Sequence, residues 1–234
     1  MRELGSRELL TLWEAGSTQD PLRRAVTLLA TSRGRPAAEA ATIDVGTRDV
    51  LLARLFRLVA GDQAPACADC PGCGSVLEVP VNLAAVAALP VHEPGERLSV
   101  LVDGSEVPFR LPTTADLIAL GGWPSDRARA ALLSACLGFE PDATPGAETE
   151  AAVEIAMERA APAGAIDLLV RCPACRLDSS VPLDVPALLW AEIEAHAFAL
   201  MRDVHALATS YGWTEPDVLD LSPRRRAMYL DLTG

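Results

Sequence analysis

Several residue types and patterns are scarce or missing in this chain of 234 residues. Aromatic residues make up only 4% of it, and there are three histidines. No apolar run reaches the roughly 18 residues that a membrane-spanning helix requires. The longest candidate, 81–91, is shorter and contains Asn82 and Pro90. The sequence therefore predicts a chain without a membrane span.

Motifs of catalytic chemistry are missing as well. The chain has no His-Glu-x-x-His, no Gly-x-Ser-x-Gly, no phosphate-binding glycine loop and no dinucleotide fingerprint. His92 follows an apolar stretch and precedes Glu93 in a predicted loop, whereas His196 and His205 lie on one predicted helix. Their spacing does not place them on one helix face, as a metal-binding i, i+4 pair would require. We therefore expect that the protein is not an enzyme.

Positive charge is scarce relative to negative charge. The formal net charge is −12 at pH 7, and the pI is about 4.7. A protein that binds nucleic acid needs a basic face for phosphate contacts. The only dense basic cluster is Arg224, Arg225 and Arg226, which is typical of an exposed helix face with acidic neighbours. The composition thus argues against nucleic acid as a partner.

Half of the chain is hydrophobic, which is sufficient for a substantial core. Apolar residues at helical spacing predict helices over 7–15, 21–33, 47–60, 114–120, 125–137, 151–161, 187–210, 215–219 and 224–232. Short β-like runs predict strands over 42–45, 76–79, 98–102, 106–111, 166–170 and 180–183. Asp103-Gly104 is a strong hairpin turn signal. The predicted fold class is α+β and mostly helical.

Some side chains have specific expected roles in these elements. Asp20 is expected to cap the second helix ahead of Pro21, Thr47 the third, and Thr113 or Thr114 the fourth. Gly34 and Gly212 are expected at helix ends. The buried face of the long helix is expected to include Leu188, Leu189, Ile193, Phe198, Met201, Val204, His205 and Leu207.

Two Cys-x-x-Cys motifs are the most informative feature that is present. Cys-Pro-Gly-Cys-Gly occupies 70–74 and Cys-Pro-Ala-Cys-Arg occupies 172–176, and each precedes a β-like run. Two cysteines at this spacing turn their sulfurs toward one point, and two such knuckles make a tetrahedral cage typical of a zinc ribbon. We therefore predict a metal site formed by Cys70, Cys73, Cys172 and Cys175. The ligand set does not distinguish zinc from iron, but zinc is the common occupant.

The sequence disfavours a redox motif and a disulfide as roles for these cysteines. A thioredoxin-type redox motif lies at a strand-to-helix junction, whereas β-like residues follow both motifs here. Disulfides need an oxidising compartment, and residues 1–7 contain no apolar signal core, so export by that route is not expected. Cys67 forms an overlapping Cys-x-x-Cys with Cys70 and is either a spare thiol or an alternate ligand. Cys136 lies in an apolar helical run and is expected to pack in the core.

The motifs divide the chain into four parts. Residues 1–66 form an N-terminal helical part, and residues 67–81 and 166–184 form the two halves of the four-cysteine zinc ribbon. Residues 82–165 form an inserted module with a small hairpin and helices, and residues 185–234 form a C-terminal helical part. Four thiolates close the coordination of the metal, so it would be structural.

An ordered set of short motifs extends over nearly the whole chain. It begins with Leu9, Leu10, Trp13, Glu14 and Gly16, followed by Arg23, Arg24, Ala25, Leu28 and Leu29, and then by Gly46, Arg48 and Asp49. After the first knuckle come Glu78 and the Arg-Leu-Pro-Thr-x-x-Asp-Leu motif at 110–117. The second knuckle precedes Val-His-x-Leu-Ala-x-x-Tyr-Gly-Trp-x-Glu at 204–215, and then Leu219, Arg225, Arg226 and Tyr229.

In this order the motifs resemble those of the zinc-ribbon baseplate proteins of contractile, phage-tail-like injection systems. These proteins are similar to the hub-assembly baseplate proteins of contractile-tailed phages. The resemblance implies a non-enzymatic baseplate component or assembly factor that contacts other baseplate, hub or tube proteins. It implies a cytoplasmic location, free or within the assembled particle. The extra Cys67 departs from the expected pattern.

Aromatic and arginine side chains cluster near the end of the chain. Trp213, Tyr229 and the triplet Arg224 to Arg226 are of the residue types that most often anchor interfaces, so they are candidate partner contacts. The alternative is that Trp213 and Tyr211 hold the short helices against the long one. The competing hypothesis for the whole protein is a zinc-ribbon regulator that binds nucleic acid, which the acidic composition disfavours.

Overall fold

The computed structural model describes residues 5–139 and 145–233. Within these ranges the chain forms eleven α-helices, one short 3-10 helix at Pro162–Ala165 and three antiparallel hairpins of two strands each. The protein is therefore mixed α+β and mostly helical, as predicted. Residues 1–4 and most of the loop predicted at 139–146 lie outside the described ranges.

Four helices open the chain: α1 (Ser6–Ser17), α2 (Pro21–Arg33), α3 (Ala37–Ala41) and α4 (Val45–Ala60). The Asp20 side chain accepts hydrogen bonds from the backbone at the start of α2, with Pro21 at the first helical position. Gly34 ends α2 in the left-handed conformation, with φ of 61°. These three roles are those that the sequence predicts.

Two expectations between α2 and α4 are wrong. The β-branched run at 42–45 forms no strand, because only Asp44 makes an isolated bridge, to Thr113. Asp44, not Thr47, caps α4, and its carboxylate accepts a hydrogen bond from the Thr47 N–H at 2.8 Å. The aspartate three residues earlier competes better for the free N–H groups of the first turn.

The first cysteine motif joins β1 (Gln63–Asp69) to β2 (Val76–Asn82), which is followed by the short helix α5 (Leu83–Ala87). The chain then enters a module formed by β3 (Leu98–Val102), β4 (Ser105–Phe109), α6 (Thr114–Ala119), α7 (Ser125–Leu137) and α8 (Ala147–Ala160). Asp103 and Gly104 both have positive φ at the β3–β4 turn, as this turn signal predicts. Thr113 caps α6.

The second cysteine motif joins β5 (Asp167–Arg171) to β6 (Asp178–Pro182). The longest helix, α9 (Val185–Tyr211), follows directly, and Gly212 ends it with φ of 70°. Two short helices complete the chain, α10 (Glu215–Leu219) and α11 (Pro223–Asp231). Among the described residues, no helix is both long enough and apolar enough to cross a membrane.

Two main apolar clusters hold these elements together. The larger one unites α1, α2, α4, α5 and α9 around fully buried side chains such as Leu28, Leu52 and Phe56. The smaller one lies within the inserted module and contains Phe109, Leu111, Leu133, Leu137 and Val153. Burial of this apolar area is the main favourable contribution to folding.

The long helix α9 contributes less of its predicted face to the core than expected. Leu189, Ile193 and Leu207 are fully buried, and Trp190 is buried as well. Phe198, Met201 and His205 are exposed, so their assignment to the buried face is wrong. Phe198 instead meets the Trp13 ring edge-on near the surface.

Candidate metal centre

Each cysteine motif forms a tight turn between two antiparallel strands. In the first turn, the Cys70 N–H donates to the Ser75 carbonyl and the Gly74 N–H donates to the Cys70 carbonyl, both at 2.9 Å. Gly74 has φ of 72°, a conformation that glycine adopts without steric cost. The turn thereby directs Cys70 and Cys73 to one side of the hairpin.

The second turn has the same backbone hydrogen bonds as the first turn. The Cys172 N–H donates to the Leu177 carbonyl and the Arg176 N–H donates to the Cys172 carbonyl, again at 2.9 Å. Arg176 takes the place of Gly74 and has φ of 63°. The strand registers also match, because Asp69 pairs with Val76 and Arg171 pairs with Asp178. The two knuckles are therefore equivalent structures on hairpins far apart in sequence.

The knuckles face each other and bring four sulfur atoms together. All four Sγ atoms of Cys70, Cys73, Cys172 and Cys175 lie within 4.8 Å of one another. Cys70 Sγ is 3.6 Å from Cys175 Sγ, and Cys73 Sγ is 3.7 Å from Cys172 Sγ. A disulfide requires about 2.05 Å. A tetrahedral site with metal–sulfur bonds of about 2.3 Å has edges of about 3.8 Å. The closest distances therefore fit a four-coordinate metal ion and exclude disulfides.

The environment of the sulfurs favours a bound cation. Hydrogen bonding to Ser75, and then to the other thiols, lowers the pKa of Cys73 to about 6. The Cys175 backbone N–H lowers the pKa of Cys172. The Leu177 N–H lowers the pKa of Cys175, but hydrogen bonds with the neighbouring thiols outweigh it and raise that pKa to about 12. Four adjacent sulfurs thus retain a proton unless a cation offsets their charge.

Apolar side chains pack against the two buried cysteines of the cluster. Cys70 and Cys172 are buried with Leu77, against Val79 and Val170, whereas Cys73 and Cys175 are exposed. A Cβ on Gly72 would lie 2.8 Å from a methyl group of Leu177 in the opposite knuckle. The small residue at this position therefore lets the two knuckles approach each other closely.

The other two cysteines lie outside the cluster. Cys67 is exposed on β1 opposite Glu78, so it does not compete with Cys70 and Cys73 in this arrangement. Cys136 is fully buried, as predicted for a core residue, and burial raises its pKa to about 11. In the described part of the chain, the four-cysteine cluster is the only group of potential metal ligands with this proximity.

The candidate partner contacts near the end of the chain lie in different environments. Arg224 and Arg225 are exposed, but Arg226 is buried. Its guanidinium forms an ion pair with Asp203 at 3.0 Å and donates to Ser6 Oγ at 3.2 Å. Arg226 is therefore not an exposed partner contact; it contacts an acidic neighbour, as the sequence predicts, and ties α11 to α9 and α1.

The aromatic residues of the same region form one cluster. Tyr211 stacks on Trp213 at 4.9 Å, and Tyr229 meets both rings edge-on. This contact holds α11 against the end of α9, while part of each ring stays accessible. Sequence reasoning missed two exposed apolar residues on α11 and at its end, Met228 and Leu232. Their spacing from Arg224 by four and eight positions was the available signal.

No family model matches the chain, and no curated protein or solved structure matches it either. Four thiolates in a tetrahedron fill the coordination of a metal ion, and such a site leaves no position for a water molecule or substrate. The arrangement can hold a metal that joins the two hairpins.

Proposed function

We propose that the four cysteines bind one zinc ion with a structural role. The cross-knuckle sulfur distances of 3.6 and 3.7 Å carry this proposal, because they match the edges of a zinc–thiolate tetrahedron. Zinc is the common occupant of paired knuckles of this kind. Since the ligands come from β-hairpins on either side of the inserted module, binding energy at the site becomes folding energy for the whole chain.

We further propose that the protein is a non-enzymatic baseplate component or assembly factor of a contractile, phage-tail-like injection system. The ordered motif set described above supports this proposal, together with a closed metal cage that favours a scaffold over a catalyst. Its partners are other baseplate, hub or tube proteins. It acts in the cytoplasm, either during assembly or as part of the particle.

The partner surface in this proposal is the outer face of α11. Arg224 and Arg225 are exposed there, Met228 is 59% exposed, and Leu232 beyond the helix end is 74% exposed. Residues 224, 228 and 232 follow one helix face. A stripe of arginine and apolar side chains is the composition of an interface centre, where truncation of an anchor costs about 2 kcal/mol or more.

Co-purification with the tail proteins tests this function. The tagged chain is co-expressed with the tube, sheath, spike and remaining baseplate proteins of a tail-like particle, and the retained proteins are identified. Wild-type protein should retain a baseplate, hub or tube protein, and Arg224→Glu with Arg225→Glu should lose it. Arg97→Glu with Arg127→Glu is the matched control, because both arginines are exposed elsewhere on the molecule. Equal retention by both double variants would reject the α11 surface.

DNA retention of the same protein preparation distinguishes the baseplate proposal from the competing hypothesis of a nucleic-acid-binding regulator. A nucleic-acid-binding regulator would be retained on duplex DNA at low salt and released as the salt concentration rises. With a net charge of −12, the proposed baseplate protein should not be retained. Salt-dependent DNA retention together with no captured tail protein would replace the baseplate proposal with the regulator.

A further inference from the structure

The outer face of strand β5 exposes a large apolar side chain, Leu169, to solvent. Asp167, Leu169 and Arg171 alternate toward solvent, and Leu169 is 89% exposed. This is the highest exposure of any large hydrophobic residue in the described part of the chain. Leu169 therefore lies on an exposed strand face between an acidic and a basic side chain.

The sequence of β5, Asp-Leu-Leu-Val-Arg, is complementary to itself when two copies run antiparallel. With Leu169 at the centre, Asp167 of each copy lies beside Arg171 of the other. Both charge pairs are attractive, and the two Leu169 side chains cover each other. Within the same chain, the Asp178 carboxylate on β6 lies 3.8 Å from the Arg171 guanidinium across the hairpin. The second strand β6 presents Ser180 next to Leu169 and adds no opposing charge there.

We propose that a second copy of this chain docks on the outer face of β5, with the two strands antiparallel and Leu169 on the two-fold axis. A two-fold contact uses the same patch on both copies, so each favourable pair occurs twice. One five-residue strand is much smaller than a standard interface of about 1,600 Å². Association is therefore weak, in the micromolar range. This inference does not depend on the baseplate proposal.

Sedimentation velocity of the zinc-loaded, full-length chain tests the contact. Across roughly 5 to 500 µM, a range that brackets micromolar affinity, wild-type protein should shift from monomer to dimer. Leu169→Lys should remain monomeric, because it places two like charges on the axis. Leu101→Lys is the matched control, since Leu101 is 74% exposed on β3, which has no complementary charges. It should dimerise like wild type. Leu169→Thr keeps a good strand former and should also weaken the dimer, should the lysine variant fold poorly.

A charge exchange makes the test specific. Asp167→Arg and Arg171→Asp should each weaken the dimer about tenfold, because each creates two repulsive contacts per dimer. The combined variant restores opposite charges and should bring the dissociation constant back to within about threefold of wild type. Metal content and circular dichroism verify folding in every variant. A wild-type chain that stays monomeric over the whole range, or a combined variant no better than the single ones, would overturn the proposal.

Discussion

Arg225 and Arg226 are neighbours in sequence on α11, yet one is exposed and the other is buried. Arg225 points to solvent, and Arg226 is buried beside Asp203 and Ser6. Nothing in a run of three arginines indicates which one faces inward. The difference arises from where α11 docks on α9, which is a property of the tertiary structure.

We expect Arg226→Ala to lower the free energy of unfolding by about 2 kcal/mol, because it leaves Asp203 without its partner and removes a bond to α1. Asp203 is partly exposed, which limits the effect. Arg225→Ala is the control and should change stability by less than about 0.5 kcal/mol. Urea denaturation measures both variants. Equal stability of the two would contradict this role of Arg226.

The two knuckles offer a second comparison at the residue scale. Gly74 and Arg176 occupy equivalent positions with positive φ, but only glycine adopts this conformation freely. Gly74→Ala should destabilise the zinc-loaded protein by about 1 kcal/mol through backbone strain, since a Cβ there meets no atom within 4 Å. Arg176→Gly should be neutral or stabilise by up to about 1 kcal/mol. Chemical denaturation measures the stability change of each variant. A stability change of the same sign for both substitutions would argue against equivalent knuckles.

At the scale of elements, local signals in the sequence predicted most helix ends. Aspartate or serine before proline marks the starts of α2 and α11, and glycine marks the ends of α2 and α9. These signals act within one turn of chain, so they need no tertiary information. The four metal-site cysteines were predictable for the same reason, because two residues of separation fix the local turn.

Elements that depend on pairing with another strand were less predictable from their own residues. Strand β1 contains three alanines and one proline, which have poor strand propensity, and it forms because β2 pairs with it along seven residues. The run at 42–45 has β-branched residues but no strand to pair with. Its last residue, Val45, is instead the first residue of α4. In both cases the presence or absence of a pairing strand outweighed the strand propensity of the residues themselves.

One groove of about 670 Å³ is lined by four arginines: Arg33, Arg35, Arg54 and Arg57. Three of them lie at or contact the end of a helix. Arg33 and Arg57 lie in the last turns of α2 and α4, and Arg54 donates to the Ala87 carbonyl at the end of α5. Cations stabilise the negative ends of helix dipoles. Arg33, Arg54 and Arg57 therefore stabilise helix ends.

One contact between elements should depend on pH. His92 bridges Glu96 and the Ala160 carbonyl at the end of α8, at 3.1 and 3.0 Å. Burial lowers the pKa of His92, but the bonds to Ala160 and Glu96 outweigh it and raise the pKa on folding. Its stabilisation is thus complete below the unfolded pKa of about 6.5 and is lost as pH rises through the higher folded pKa.

We therefore expect His92→Gln to reduce stability more at pH 6 than at pH 8. Thermal unfolding of variant and wild type at both pH values gives the difference, in which effects common to both proteins cancel. Glu96→Gln should reduce this pH dependence in the otherwise unchanged chain. A stability loss that is larger at pH 8 would contradict the assigned sign.

At the scale of the whole molecule, the cysteine cage joins the chain before and after the inserted module. Cys70 and Cys73 precede the module with its own apolar cluster, and Cys172 and Cys175 follow it and lead directly into α9. The metal would therefore fix the return of the chain to the main core. Without it, two small hairpins of marginal stability would have to hold the same geometry.

Removal of the metal should destabilise the entire protein. We expect chelation to lower the free energy of unfolding by about 3 kcal/mol or more, because a ligand that binds only the folded state stabilises it by linkage. Thermal unfolding before and after chelation measures the change, and zinc addition should reverse it. An unchanged melting curve after verified metal removal would rule out a structural role.

The central claim, that Cys70, Cys73, Cys172 and Cys175 together hold one zinc ion, is tested most directly by metal content per chain. Elemental analysis of wild type, Cys67→Ser, and Cys172→Ser with Cys175→Ser compares three proteins that differ only at sulfur. We predict one zinc per chain in wild type and in Cys67→Ser, and none in the double variant. Full zinc content in the double variant, or loss of zinc in Cys67→Ser, would contradict the proposed site.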